Sequence, residues 1–279
     1  MKESIDVQGH RGARGLRPEN TVIAFIHALD LGVNTLEMDV TVTKAGEIIV
    51  SHEPYFNHHI TTRDSIVITE SNDKEFNFYE MSIEEIKRFD VGLKKVDRFP
   101  YQKKIAAVKP TLSEVVAAVN SWKNSTDTTR EVSYNIEIKR KPDWDNIYHP
   151  EYTFYVDQVV NEMKRLNILN SSNLQSFDFE TLQYIHEKYP TIPTALLIEN
   201  LIPFERNISN LGYHPAIYSP HHKLVSHALI SYADKHSIKV IPWTVNEVED
   251  IENLLDMGVD GIISDYPDRV IEIIESKKQ

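Results

Sequence analysis

Apolar positions along the chain follow two alternating periods. Short β-rich runs recur at 5–10, 34–40, 132–138, 173–177, 194–198, 216–219, 239–244 and 261–264. Between them lie stretches such as 21–31 and 247–257, with apolar residues spaced near 3.6 and glycine stops at Gly32 and Gly258. Strands alternating with amphipathic helices signal a parallel sheet with crossover helices, and eight of them predict an α/β fold, a closed (β/α)8 TIM-type barrel.

A ninth run, 47–52, follows the second strand after too few residues for a parallel crossover, so it returns antiparallel as a hairpin arm. A two-residue loop of Ala45 and Gly46 pairs Lys44 with Glu47 and sets Asp39 opposite His52; a three-residue loop shifts the register by one. From 53 to 110 the barrel rhythm lapses. This stretch holds Tyr55, Phe56, His58, His59, Phe76, Phe78 and Tyr79, and reads as a subdomain inserted after the second barrel strand and its hairpin, over the barrel mouth. Residues 1–279 then form a single barrel domain, since such barrels commonly run to about 250 residues or more.

Three acids lie on strands rather than on solvent-facing helices: Glu37, Asp39 and Glu137. Side chains two apart on a strand share a face, so Glu37 points with Asp39, and Glu137 with Lys139. A lone strand acid reads best as half of a buried ion pair. Three converging near the carboxyl ends of barrel strands repel unless a cation joins them, and all-oxygen ligation suits one hard divalent ion, Mg2+ or Ca2+. Two histidines, His10 and His52, end strands beside this cluster. Imidazole titrates near neutrality, which makes the pair a candidate general acid and base. Arg11 and Lys139 are candidates to neutralise phosphate oxygens. Phe177 and Trp243, at strand ends, and Tyr55 and Phe56, in the insertion, are candidate walls of a substrate pocket, with core packing the competing role. The pairs His58, His59 and His221, His222 read as ordinary surface-loop residues rather than a second metal site.

Charge sharpens the picture. With 42 acidic and 30 basic residues the formal net charge is −12, which argues against a nucleic-acid partner and demands a local cation or placed basic groups wherever a phosphate ester is handled. The absence of cysteine removes thiolate chemistry and disulfides. No apolar run is long enough to span a bilayer. The chain as it stands reads as soluble and cytoplasmic, or periplasmic or secreted if a leader was removed.

The chain contains, in order, GHRGARGLRPENTVIAF, LEMDVTVTKAGEIIVSHEP, NIEIK, QSFD, WTVN and GVDGIISDYP. These segments resemble the ordered motifs of glycerophosphodiester phosphodiesterases, from about Gly9 to Asp268. The resemblance implies a β/α barrel, one divalent cation, and hydrolysis of glycerophosphodiesters to glycerol 3-phosphate and an alcohol. It carries His10 and His52 over as the acid and base pair, Glu37, Asp39 and Glu137 as metal ligands, and Arg11 and Lys139 as phosphate contacts. Where many members have Asp after the second histidine, this chain has Glu53. Two alternatives stand beside this reading: the same catalytic set acting on larger lipids, such as lysophospholipid or phosphoinositol esters, and a phosphoester-binding barrel without turnover. An extended apolar mouth built from Tyr55, Phe56, Phe76 and Phe78 would favour the larger lipids.

Overall fold

The structure is a computed structural model that describes residues 1–278 apart from Glu3 and Ser65. Eight parallel strands form the barrel wall: β1 (Asp6–Gly9), β2 (Thr35–Val42), β4 (Ser133–Ile138), β5 (Ser172–Ser176), β6 (Thr194–Ile198), β7 (Ile217–Pro220), β8 (Lys239–Val240) and β9 (Gly261–Ser264). Their order is β8-β7-β6-β5-β4-β2-β1-β9, and β3 (Ile48–Val50) pairs antiparallel with β2. Between β8 and β9 the ring is joined by single hydrogen bonds, Asp260 N–H to Val240 O and Ile263 N–H to Pro242 O. The sequence predicts a longer eighth strand, 239–244. Pro242 has no N–H to give, and the regular ladder stops at Val240.

The outer helices are α1 (Val22–Leu31), α3 (Leu112–Ser125), α4 (Tyr152–Arg165), α5 (Phe179–Lys188), α6 (Phe204–Leu211), α7 (His227–Lys235), α8 (Val248–Met257) and α9 (Pro267–Lys278). The Thr21 side chain caps α1 by accepting from Ala24 N–H, and Gly32 and Gly258 end α1 and α8 in left-handed conformations. The main core lies between this helical layer and the outward strand residues, among them Leu36, Met38, Val40, Ile136, Leu174 and Leu196.

The β2–β3 hairpin has the three-residue alternative of its loop. Val40 pairs with Val50 and Val42 with Ile48, so Asp39 lies opposite Ser51, whose N–H bonds the Asp39 carbonyl, and not opposite His52. Lys44, Ala45 and Gly46 turn the chain between Thr43 and Glu47, with Gly46 at φ 89° supplying the left-handed position such a loop needs.

The described residues of 53–110 contain two short 3-10 turns and one four-residue helix, α2 (Ile83–Ile86), which carries a capping box from Ser82 and Glu85. Phe56, Ile68, Phe78, Ile86, Phe89 and Val91 gather with Ile49 of β3 into a cluster of their own. Phe56 stacks on Phe89 with ring centroids 4.0 Å apart and meets Phe78 edge-on. The segment then returns beside β3, where Val50 N–H bonds Pro110 O.

Candidate active site

The inward alternation of the strands builds the site. On β2 and β4, Asp39 sits directly beside Glu137 and Glu37 beside Asn135; on β5, Gln175 is level with Glu137. Carboxylate oxygens of Glu37, Asp39 and Glu137 all lie within 4.8 Å of one another, and all three residues are buried. Like charges side by side in a sheet destabilise it. Burial, reinforced by Asp39 and Glu137, pushes Glu37 well above the usual carboxylate range, and burial likewise lifts Glu137 to about 7. Burial opposes ionisation of Asp39 too, but Lys139 and Arg11 overcome it and hold that carboxyl well below its ordinary value.

Neighbouring donors fix the orientation of these acids. Gln175 Nε2 donates to Glu37 Oε1 at 2.8 Å, Arg11 N–H to Glu37 Oε2 at 2.8 Å, and Asn20 Nδ2 to Asp39 Oδ2 at 2.8 Å. Lys139 Nζ lies 2.8 Å from Glu137 Oε1 and 3.3 Å from Asp39 Oδ1, the latter an ion-pair distance without hydrogen-bond alignment. Asp39 Oδ1 is therefore a buried carboxylate oxygen that no hydrogen bond satisfies. Three anionic oxygen donors, one of them orphaned, on a rigid wall fit a hard divalent cation.

Both histidines are held from behind by carboxylates. His10 Nδ1 is 2.7 Å from Asp265 Oδ1, and its Nε2 lies 3.9 Å from Glu37 Oε2. Burial and the charge of Arg14 lower His10 to about 4, against the pull of Asp265. His52 Nδ1 bonds Glu53 Oε1 at 2.8 Å; burial, with Arg11 and Lys139, lowers its pKa as well. The longer Glu53 therefore reaches the imidazole it follows. Each ring has its Nδ1 occupied and its Nε2 left for other partners.

Arg11 adopts φ 51°, an uncommon conformation for a side chain of its size, and Asn20 N–H bonds its carbonyl. Gly12, at φ 89°, is required beside it, since a Cβ there would come within 2.6 Å of Ala24 on α1. The Arg11 guanidinium bonds Glu19 Oε1 at 2.8 Å and approaches Asp39 Oδ2 at 3.2 Å. Burial opposes its charge, yet Glu19 and Asp39 raise its pKa further. Glu19, also facing Arg14, stays ionised with a pKa near 2 although burial works against it.

His10, Arg11, Glu37, His52, Glu53, Glu137 and Lys139 line a cavity of about 440 Å³ at the carboxyl ends of the strands, shared with Arg14, Arg140, Lys141, Trp144, Gln175, Phe177, Glu199, Trp243 and Thr244. His10, His52, Glu37, Glu137, Arg11, Lys139, Phe177 and Trp243, all named from sequence, meet here, and Asp39, the third acid of the triad, sits beside Glu137 behind the lining. Phe177 and Trp243 stand edge to face, centroids 5.4 Å apart. Two expected pocket residues do not line it. Phe56 is wholly buried in the second apolar cluster, and Tyr55 packs on Trp144 and Tyr148. Phe78 is also core, and Phe76 packs against it, because the long segment must bury apolar surface of its own.

Sequence reasoning passed over Asp265, Arg14, Glu19, Asn20, Asn246, Gln175 and Lys109. Asp265 joins His10 to Arg14 and accepts from Asn246 Nδ2 at 2.8 Å. Its signal was its place two residues after the inward Ile263. Lys109, 1 % exposed, has no hydrogen-bond partner for Nζ; burial lowers its pKa against the pull of Glu19 and Glu53.

Comparison with known proteins matches residues 10–269 to the glycerophosphoryl diester phosphodiesterase family. A glycerophosphodiester phosphodiesterase of Bacillus altitudinis is 32% identical over 275 residues, covering 96% of this chain and 98% of the relative. A crystal structure from Silicibacter pomeroyi DSS-3, assigned to the same family, superposes with a TM-score of 0.86 at 28% identity, over 100% of this chain and 95% of that one. A phosphodiesterase of Oleispira antarctica, solved with its product sn-glycerol-3-phosphate, shares the fold at a TM-score of 0.74 and 20% identity, over 97% and 96% of the two chains. The chain belongs to the glycerophosphoryl diester phosphodiesterase family and is by that membership a phosphoric diester hydrolase.

Proposed function

We propose that this protein hydrolyses glycerophosphodiesters to glycerol 3-phosphate and an alcohol, with His10 and His52 as its proton-transfer pair. The observation that carries the reading is the coincidence, in one cavity, of two carboxylate-backed imidazoles with a buried three-carboxylate cluster. A divalent cation held by Glu37, Asp39 and Glu137 would supply positive charge against the phosphate and make an adjacent hydroxyl more acidic.

His10 lies deep in the cavity, neutral at pH 7, with Nε2 beside Glu37. It is suited to take the proton of the attacking oxygen. Asp265 fixes the tautomer that leaves Nε2 able to accept and stabilises the imidazolium once formed. His52 stands at the outer wall, part-exposed, and Glu53 behind it works against the burial and the nearby Arg11 and Lys139 that lower its pKa, supporting the ring as it delivers a proton to the leaving alcohol oxygen. Arg11 and Lys139, both largely buried at the cavity wall, offset charge growing on the phosphate oxygens. We further read 53–110 as an insertion that contributes Glu53 to the catalytic cavity while packing its aromatic residues on its own core.

The test is release of glycerol 3-phosphate from glycerophosphocholine and glycerophosphoethanolamine, with Mg2+ or Ca2+, with chelator, and in His10→Ala. Activity lost with chelator and in the variant is the expected result. A wild-type protein inactive on both diesters with either ion would reject the reading.

A further inference from the structure

The catalytic cavity shares a wall with a second cavity of about 600 Å³, and the shared wall is Arg11, His52 and Glu53, with Glu19 behind Arg11. Glu37, Glu137, Phe177 and Trp243 line the first cavity and not the second. The second is rimmed by His58, His59, Lys94, Lys95 and Arg98. Resting on the reading above, we propose that this second cavity receives the leaving alcohol and favours alcohols that carry a negative group, such as a polyol bearing a second phosphate.

Position is the first argument. In-line displacement sends the leaving oxygen away from the attacking one. With the attack beside His10 and the acid triad, the departing group passes His52, and His52 is the partition between the cavities. The volume lies within the range of small-molecule sites.

Charge is the second. In a chain of net charge −12, the rim carries half-buried Lys94 and exposed Lys95 and Arg98 against the exposed Asp97. The two deeper carboxylates are already engaged, Glu19 chiefly by Arg11 at 2.8 Å with Arg98 farther off at 3.6 Å, and Glu53 by His52. Lys94 Nζ is anchored to the His58 carbonyl, and Arg98 lies over the Phe99 ring at 4.7 Å, which pre-orders both cations. The Lys95–Asp97 pair, 2.7 Å long, is exposed on both sides, so its exchange for a phosphate costs little.

Lining chemistry is the third. Ile60 and Val96 are the aliphatic residues in the lining, too few to cover an acyl chain, whereas a hydrated polyol phosphate meets the donors of His58, His59, Asn57 and Lys94.

The experiment compares kcat and KM for deacylated cardiolipin, whose leaving alcohol bears a second phosphate, with those for glycerophosphocholine, whose leaving alcohol is cationic. Wild type, the Lys94→Met/Lys95→Met/Arg98→Met triple variant and the exposed single variant Lys95→Glu are measured in full-length protein. The ratio of kcat/KM, phosphorylated alcohol over choline, falls about tenfold in the triple variant and about threefold in Lys95→Glu, chiefly through KM, since partly exposed charges each contribute modestly. A thermal unfolding curve for Lys95→Glu that matches wild type shows that the fold is kept, so that variant suffices should the triple fail to express. Hydrolysis of both diesters with an unshifted ratio overturns the subsite and leaves the phosphodiesterase reading intact. Hydrolysis of neither diester by wild type overturns both.

Discussion

The two halves of the barrel lumen differ in kind. Inward positions of β1, β2, β4 and β5 are Gln8, Glu37, Asp39, Asn135, Glu137 and Gln175, all buried and polar. On the other side Ala195, Ile217, Ile241 and Ile263 make a small apolar cluster capped by Trp243. A buried polar group costs free energy unless it is hydrogen-bonded. The polar half is accordingly cross-linked, with Asn135 Nδ2 bonding Gln8 Oε1 at 2.7 Å and Gln175 Oε1 at 3.1 Å. The difference teaches that one side of the lumen is held by directional bonds that aim catalytic groups, and the other by packing that gives them a firm backing.

The largest test of that contrast is at its most polar point. Asp39→Asn removes the lowest-pKa carboxylate of the triad and the charge opposite Arg11 and Lys139. We expect kcat with Mg2+ or Ca2+ to fall by roughly 10³-fold or more, matching several kcal/mol of lost charge stabilisation, while calorimetry shows the cation no longer bound at micromolar levels. Retained cation affinity would mean the polar half is a structural network only.

Next in size is Asp265→Asn, the positioning change behind His10. It keeps shape but frees the imidazole to choose the wrong tautomer, and general-base contributions run to about 10²–10⁴-fold. The fall belongs in kcat, with KM moved little. If KM rises and kcat holds, Asp265 serves Arg14 and substrate binding instead.

A smaller effect is acid sensitivity of cation binding. Without the ion, Glu137 takes a proton at about 7, and burial beside Asp39 and Glu137 holds Glu37 well above the ordinary carboxylate range. Protons therefore compete with the cation: affinity is highest above pH 7 and weakens as pH falls through 7, by up to about tenfold per unit per proton displaced. Titration calorimetry from pH 5.5 to 8.5 reads the slope directly. A flat profile would show that the triad stays fully ionised without its ion.

The same contrast explains which parts of the molecule were legible in the sequence. Acids on apolar strands stand out against their neighbours, so Glu37, Asp39 and Glu137 were visible, and period-2 alternation gave their common face. Asp265 was not, because an Asp before Tyr266 and Pro267 reads as the turn it also is. Gln175 and Asn135 carry no charge to flag them. Phe56 and Phe177 are the same residue type, and nothing local says that one fills a core and the other lines a cavity. The hairpin register turned on whether Lys44 belonged to the strand or the loop, a difference of one residue that the alternation of Val40, Val42, Ile48 and Val50 resolves only once both arms are placed.

The smallest effect tests the apolar half. Trp243 donates its indole N–H to Ser219 O at 2.9 Å and presents its ring to the edge of Phe177, so it is fixed rather than free to follow the substrate. If this side only supports bound diester, Trp243→Ala loses uniform binding: KM rises about three- to tenfold, kcat changes less than about threefold, as expected when an interaction is equally strong in ground and transition states. Steady-state kinetics on glycerophosphocholine separate the two constants. A fall in kcat as large as that of Asp265→Asn would mean that the packing half also sets the reacting geometry. The division of labour between the two sides of the lumen would then be wrong, even with the cation site and both histidines in place.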